Sequence, residues 1–447
     1  MRRLGLAALA TALSLAGIAC SPAGSSTSPA SGVHPTQAPE AQPVPTAPVV
    51  PAPPLVPPPV AAPASASRLP GTLLVGSGTG DLRTVAPDGV PRTWLVRATP
   101  NGPQAGAAVW APDGSRIAWS ELDHTSSGLV PRVVSAAPDG SARTSAVTPG
   151  LAFFLAWDPT STQLAVLRDA GASIGLSVVD PGAPAGERVE TLGRGAPYYF
   201  AWTPDGRSLL VHVGTSRFER LWLGGRIATI AKDAGTFQTP AALAGPAVLY
   251  AASRGGDRQL LVRRDLTTGA ADVLARVRGD LLFTVSPDGR RVAYEALGRR
   301  ERDFYDRAAP ARATHVGVTV LDLSTGARTR ATTELAMAWS WSPRGDRLAV
   351  LEPVYRPAGP IDFRWVVWGR GSAFATPAFK GSLPFLEHYT PFFAQFAPAG
   401  TLWSPDGRAF AYPAEDARGR SWIWVQPVQG RAFVAASGSS VAWSPTP

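Results

Sequence analysis

The chain has 447 residues, and 45 Gly plus 45 Pro make up about a fifth of it. That density excludes one long helix or a coiled coil, and the lack of a strict three-residue Gly period excludes collagen. The net charge of +9 comes from 40 Arg and two Lys (Lys232, Lys380) scattered among 33 acids. With no arginine stripe interleaved with stacking aromatics, it does not point to nucleic acid.

Met1-Arg2-Arg3 is a short basic start, and LGLAALATALSLAGIA then supplies an apolar stretch that ends at Cys20. A basic start, a short apolar core and small residues at its end describe a secretory signal over 1–20. A permanent transmembrane helix needs about 20 apolar residues, and no later segment is apolar for that long. Cys20 is the only Cys in the chain. Its place after the apolar stretch resembles the lipid-modified cysteine of a bacterial lipoprotein, although Gly17 stands where that pattern prefers Leu. Lipid attachment at Cys20 is expected, with plain cleavage after Ala19 as the alternative. The protein is therefore read as exported, held at the periplasmic or outer cell surface by a lipid or released as a periplasmic or secreted form. A lone Cys leaves no internal disulfide.

Residues 21–70 hold 15 of the 45 Pro, in runs such as PTAPVVPAPPLVPPPVAAP, with almost no charge. Proline fixes φ and removes donors, so this segment reads as an extended tether. The remaining residues, 71–447, could make two domains by length alone, and one closed all-β architecture can also reach this size.

That part repeats itself. The strongest copies are VWAPDGSRIAWS (109–120), AWTPDGRSLLVH (201–212), TVSPDGRRVAYE (284–295) and LWSPDGRAFAYP (402–413). AWDPTSTQLAVL (156–167) and SWSPRGDRLAVL (340–351) are weaker, GPAVLYAAS (245–253) keeps only the second half, and VAWSPTP (441–447) only the first. Each copy describes a hairpin. An apolar strand ends in Trp-Ser/Thr-Pro, Asp-Gly reverses the chain, and alternation resumes. A second strand pair follows around D-L-[ST]-T-G, as at 322–326 and 265–269. Four strands in 40–50 residues is a propeller blade. The predicted fold is an all-β propeller of eight blades, with seven as the alternative. Its final strand completes the N-terminal blade and closes the ring. Trp110, Trp157, Trp202, Trp341 and Trp403 are expected in the core between blades. Asp113, Asp205, Asp288 and Asp406 are expected to form turns.

These repeats resemble the TolB-like family of WD40-like β-propeller repeats, whose hallmark is W-S-P-D-G before an apolar-aromatic strand. The resemblance implies a propeller that binds proteins or peptides, or the gating domain of a prolyl-oligopeptidase-like enzyme. The chain departs from TolB in having more than six blades and a Pro-rich tether in place of an α/β domain.

Candidate chemistry is sparse. Gly171–Gly175 (GASIG) matches G-x-S-x-G, but Ser173 sits between two antiparallel strands, without the strand-to-helix turn a nucleophile needs. GSGTG (76–80) lacks the third Gly and the helix of a dinucleotide site. Glu121-Leu122-Asp123-His124 is the one compact acid-plus-His group, and it is expected on a solvated loop. No metal-spaced set or P-loop occurs, so no cofactor is implied.

The irregular connections say more. The additions at 296–314, 352–362 and 371–400 all belong on the face opposite the PDG turns, on adjacent blades. They carry Phe304, Tyr305, Tyr355, Phe385, His388, Tyr389, Phe392, Phe393 and Phe396. Such side chains dominate binding hot spots; equally, they could fill the central channel. The expectation is a non-enzymatic binding or scaffold module, engaging a protein, peptide or glycan through this face. The alternatives are a hydrolase or metal-dependent enzyme at the propeller mouth, or a purely structural envelope protein. No nucleic acid partner is expected, any membrane contact is through the N-terminal lipid alone, and the chain is read as a monomer.

Overall fold

The computed structural model describes residues 60–195, 198–214, 216–235, 239–256, 258–297, 317–355, 361–369, 373–398 and 401–447. Cys20, Phe304 and Tyr305 lie outside the described residues.

Eight four-stranded antiparallel sheets account for the strands, each built from consecutive strands except one. That one, blade 1, takes Leu73–Gly76, Leu82–Val85 and Pro91–Val96 from the start of the domain and Ser440–Trp443 from its end. Blades 2 to 8 follow in chain order, beginning at 104, 152, 198, 241, 280, 338 and 380. The fold is thus the expected eight-bladed propeller. The half-copy near 247 forms its own sheet, with a two-residue inner strand at Ala241–Ala242, which removes the seven-bladed alternative. Closure is the antiparallel register Leu73↔Trp443 to Gly76↔Ser440.

The repeat motif becomes geometry at the first turn of each blade. In Trp-Ser-Pro-Asp-Gly the serine hydroxyl works twice. Ser404 Oγ donates to Asp406 Oδ1 at 2.7 Å and accepts from the Ala409 N–H at 3.0 Å. Thr203 with Asp205 and Ser286 with Asp288 repeat the first bond at 2.6 Å each. The closing Gly holds φ at +67° in Gly407, a region a β-carbon disfavours. Two of the six PDG sequences, 87–89 and 138–140, instead join third strand to outermost strand. They occupy the position that Asp322 and Asp265 hold in other blades.

The core lies between sheets rather than within one layer. Val109, Ala118 and Val133 of blade 2 meet Leu155, Trp157 and Val166 of blade 3, and Phe154, Ala165 and Leu176 meet Phe200, Trp202 and Leu209 across the next seam. All five repeat tryptophans are buried, as expected. Three also tie blades together through the indole N–H. Trp110 donates to Ala442 O at 3.3 Å, Trp202 to Ala156 O at 3.0 Å and Trp403 to Ser340 O at 3.1 Å. In each case the acceptor immediately precedes the equivalent Trp of the previous blade.

Residues 60–70, the end of the segment read as a tether, lie against the seam between blades 8 and 1. The Val434 N–H donates to Val60 O at 2.8 Å, Ala66 is buried in a 3₁₀ turn, and Trp443 Nε1 donates to Pro70 O at 2.9 Å.

Candidate functional site: a plugged channel

Eight blades leave a wide axial channel, and the inner strands that line it present an edge with unpaired backbone groups. Blade 8 deals with this space. Its innermost strand is broken in two: Lys380–Gly381 pairs with Glu415 and Ala414, while Trp403 pairs with Phe410 at the other end. Between these pieces the chain leaves the sheet and runs as helical turns. One wide π-turn covers Phe385–Tyr389, a 3₁₀ turn Thr390–Phe392 and an α-turn Phe393–Phe396. Pro391 lies at the switch from the first to the second, where a missing N–H is tolerated.

This plug crosses the channel. Phe393 packs on Trp339 of blade 7 with ring centroids 4.4 Å apart, and Trp339 Nε1 donates to Thr284 Oγ1 of blade 6 at 2.7 Å. Phe396 meets Phe154 of blade 3 edge-on at 5.0 Å. Phe385 and Tyr389 stack at 5.2 Å and 11°. The buried Gln395 is the polar anchor. Its Oε1 accepts from the Phe200 N–H at 3.1 Å and its Nε2 donates to Phe200 O at 2.8 Å. One side-chain amide thereby serves Phe200, on the innermost strand of blade 4, as a neighbouring strand would.

The plug fills only part of the channel. Beside it, towards blades 1, 2 and 3, stands a cavity of 380 Å³. Leu74, Val109, Phe153, Leu155, Tyr389 and Phe396 are among its walls. Ser77–Gly80 and Ser439 belong to its rim, so the mouth opens on the face opposite the first-turn PDG sequences. Among the described residues that line it, none is Asp, Glu, Lys or Arg. Burial pushes the phenols of Tyr199 and Tyr389 above their ordinary range, so they stay neutral.

The strand ends that flank 298–316 and 355–361 are those between second and third strands of blades 6 and 7, and the plug precedes the rest of blade 8; residues 298–316 and 356–360 lie outside the described residues. The described aromatic residues differ in exposure. Phe385 and Phe393 are buried, and Tyr389 and Phe396 stand on the cavity wall. Phe392 and His388 are half-buried cavity-wall residues, and Tyr355 is 47% exposed. Leu383, which sequence reasoning passed over, is 60% exposed beside the plug.

The other candidates separate. Glu121 to His124 lie on a strand, Ile117–Thr125, rather than on a loop, because the hairpin it forms with Gly128–Ala136 extends beyond the usual blade length. Alternation then splits the group. Glu121 is buried against Arg143 at 2.8 Å and Trp119 Nε1 at 2.9 Å, Asp123 pairs with Arg132, and His124 is exposed. Ser173 lies in a hairpin turn and donates to Ala170 O at 3.4 Å. Gly76–Gly80 is another hairpin turn, closed by Asp81. Among the described residues, no three His, Cys, Asp or Glu side chains are placed to hold a metal ion.

The site and fold define the chain as an all-β, eight-bladed, strand-closed propeller with a plugged channel. No family model matches its sequence, and no curated protein matches it either. Solved structures do resemble it. A eukaryotic initiation factor is similar with a TM-score of 0.52 at 10% identity, over 84% of this chain and 98% of that one. TolB from Acinetobacter baumannii is similar with a TM-score of 0.37 at 16% identity, over 74% and 83%. A structure from a study of two prolyl endopeptidases is similar with a TM-score of 0.47 at 12% identity, over 75% of this chain but 50% of that one. At these identities the likeness is one of fold.

Proposed function

We propose that this chain is a non-enzymatic binding propeller of the TolB-like kind, working outside the cytoplasmic membrane on a tether from a lipidated Cys20. Its partner is a protein, peptide or glycan held on the insertion face. The observation that carries this reading is the contrast between the two faces. One is made of short turns closed by their own Asp, Ser and Gly. The other carries the strand ends that flank the long connections of blades 6 and 7, exposes Tyr355 and Leu383, and holds an open apolar mouth. Exposed aromatic and aliphatic side chains around a concavity are what interfaces are built on.

The test compares the two faces in the full chain. Tyr355→Asp and Leu383→Asp should lower capture on peptide and glycan arrays by at least about ten-fold, which corresponds to about 1.4 kcal/mol. Arg207→Ala, on the exposed turn of the opposite face, should leave capture unchanged. Equal loss from all three, or catalytic turnover of an array ligand, would contradict the proposal.

A further inference from the structure

We infer that the cavity beside the plug is a small-molecule site, selective for an uncharged and largely apolar ligand. This stands apart from the macromolecular reading, since it concerns the inside of the channel and not the face around it.

The first argument is charge. Among the described residues, no Asp, Glu, Lys or Arg lines a cavity that draws on blades 1, 2, 3, 4 and 8. An ionised ligand would leave water there without a countercharge, which costs far more than burying an apolar one. The second is size. At 380 Å³ the cavity falls within the usual range of small-molecule sites, about 300–1,000 Å³.

The third argument is that several of the polar groups nearby are already committed. Ser77 Oγ and Thr79 Oγ1 on the rim donate to Asp81 Oδ2 at 3.1 and 3.0 Å, and the Asp81 carboxylate also takes the Ala98 N–H at 3.0 Å. Gln395, at the back, is spent on Phe200. Most of what remains for a ligand is aromatic and aliphatic wall. Phe153, Tyr389 and Phe396 offer ring faces or edges, and Leu74, Val109 and Leu155 offer methyl groups. The Gln104 amide, the Ser440 hydroxyl and the His388 imidazole, whose Nδ1 is buried without a hydrogen-bond partner, allow a few neutral hydrogen-bonding groups on the ligand.

The experiment uses two fluorescent probes with the same ring skeleton. N-phenyl-1-naphthylamine is uncharged, and 1-anilinonaphthalene-8-sulfonate adds one sulfonate. Each is titrated into the full chain and into two variants at Ala107, a half-buried cavity-wall residue on the innermost strand of blade 2. The neutral probe should bind saturably at one site, at least about ten-fold tighter than the sulfonate. Ala107→Trp, which occupies the space, should weaken the neutral probe by at least the same factor while the melting temperature holds. If that variant melts early, Ala107→Glu gives the reading, because a carboxylate at the wall should repel the sulfonate and weaken the neutral probe too. No saturable binding, equal affinity for the two probes, or neutral-probe affinity untouched in a folded Ala107 variant would each overturn the inference. Since the array variants at Tyr355 and Leu383 lie outside the cavity lining, failure here and failure of the macromolecular reading are separable.

Discussion

The repeat tryptophan has two jobs that a sequence shows as one. Its bulk fills the space between sheets, which the W-S-P-D-G spacing makes legible because a large apolar residue, most often Trp, recurs at that position. At Trp110, Trp202 and Trp403 its N–H also reaches a carbonyl of the preceding blade, and this was not legible, since the acceptors are backbone atoms of Ala442, Ala156 and Ser340, with no side-chain signature. The two jobs can be pulled apart at Trp403, which is 1% exposed. Trp403→Phe keeps much of the volume and loses the bond to Ser340, so about 1 kcal/mol beyond any packing change is expected. Trp403→Ala should cost roughly 3–5 kcal/mol. Urea unfolding of both variants measures the two terms, and equal losses would show that the hydrogen bond, not the bulk, dominates. The serine of the motif was legible in the same partial way: its recurrence was plain, its double hydrogen bond to Asp and backbone was not.

Among elements, the plug shows where sequence reasoning runs out. Phe385, Tyr389, Phe392 and Phe396 recur at helical spacing, and the segment does form helical turns. Where it goes could not be read, because amphipathic spacing is equally suited to an outside partner and to the protein's own channel. Placement is decided by groups far away in sequence, above all by Phe200, which Gln395 meets across 195 residues. A lone Gln carries no periodicity, so nothing marked it. Gln395→Ala should strand the Phe200 N–H and C=O, at about 1–3 kcal/mol. Hydrogen exchange would localise the effect: the Phe200 amide should exchange faster, while strand amides far from the plug keep their protection. Unchanged exchange at Phe200 would show that the aromatic contacts alone seat the plug.

For the molecule as a whole, blade number and closure were both legible, since seven hairpin copies and a final orphan strand that completes the N-terminal blade add up to eight. Closure rests on four residue pairs, Leu73↔Trp443 to Gly76↔Ser440, and on the Trp110 bond to Ala442. Removing residues 438–447 should therefore abolish the single cooperative melt and expose a three-stranded blade that aggregates. A synthetic peptide of the same ten residues, added in trans, should restore the melt. An unaltered melt in the truncated chain would refute the account.

The same seam sets an order of events in time. Thr72 and Ser444, 372 residues apart, end up joined by a 2.9 Å hydrogen bond. At ordinary synthesis speeds, about 5–20 residues per second, the last strand follows the first by roughly 20–70 s. Blades 2 to 8 contain all their own strands and can form as they emerge, whereas blade 1 must wait with one edge bare. Contacts of such range are the slow ones to make. The waiting strand Leu73–Gly76 is only four residues long, and a short edge is a poor template for a stranger. Its brevity, unremarkable in the finished ring, guards the chain during that interval.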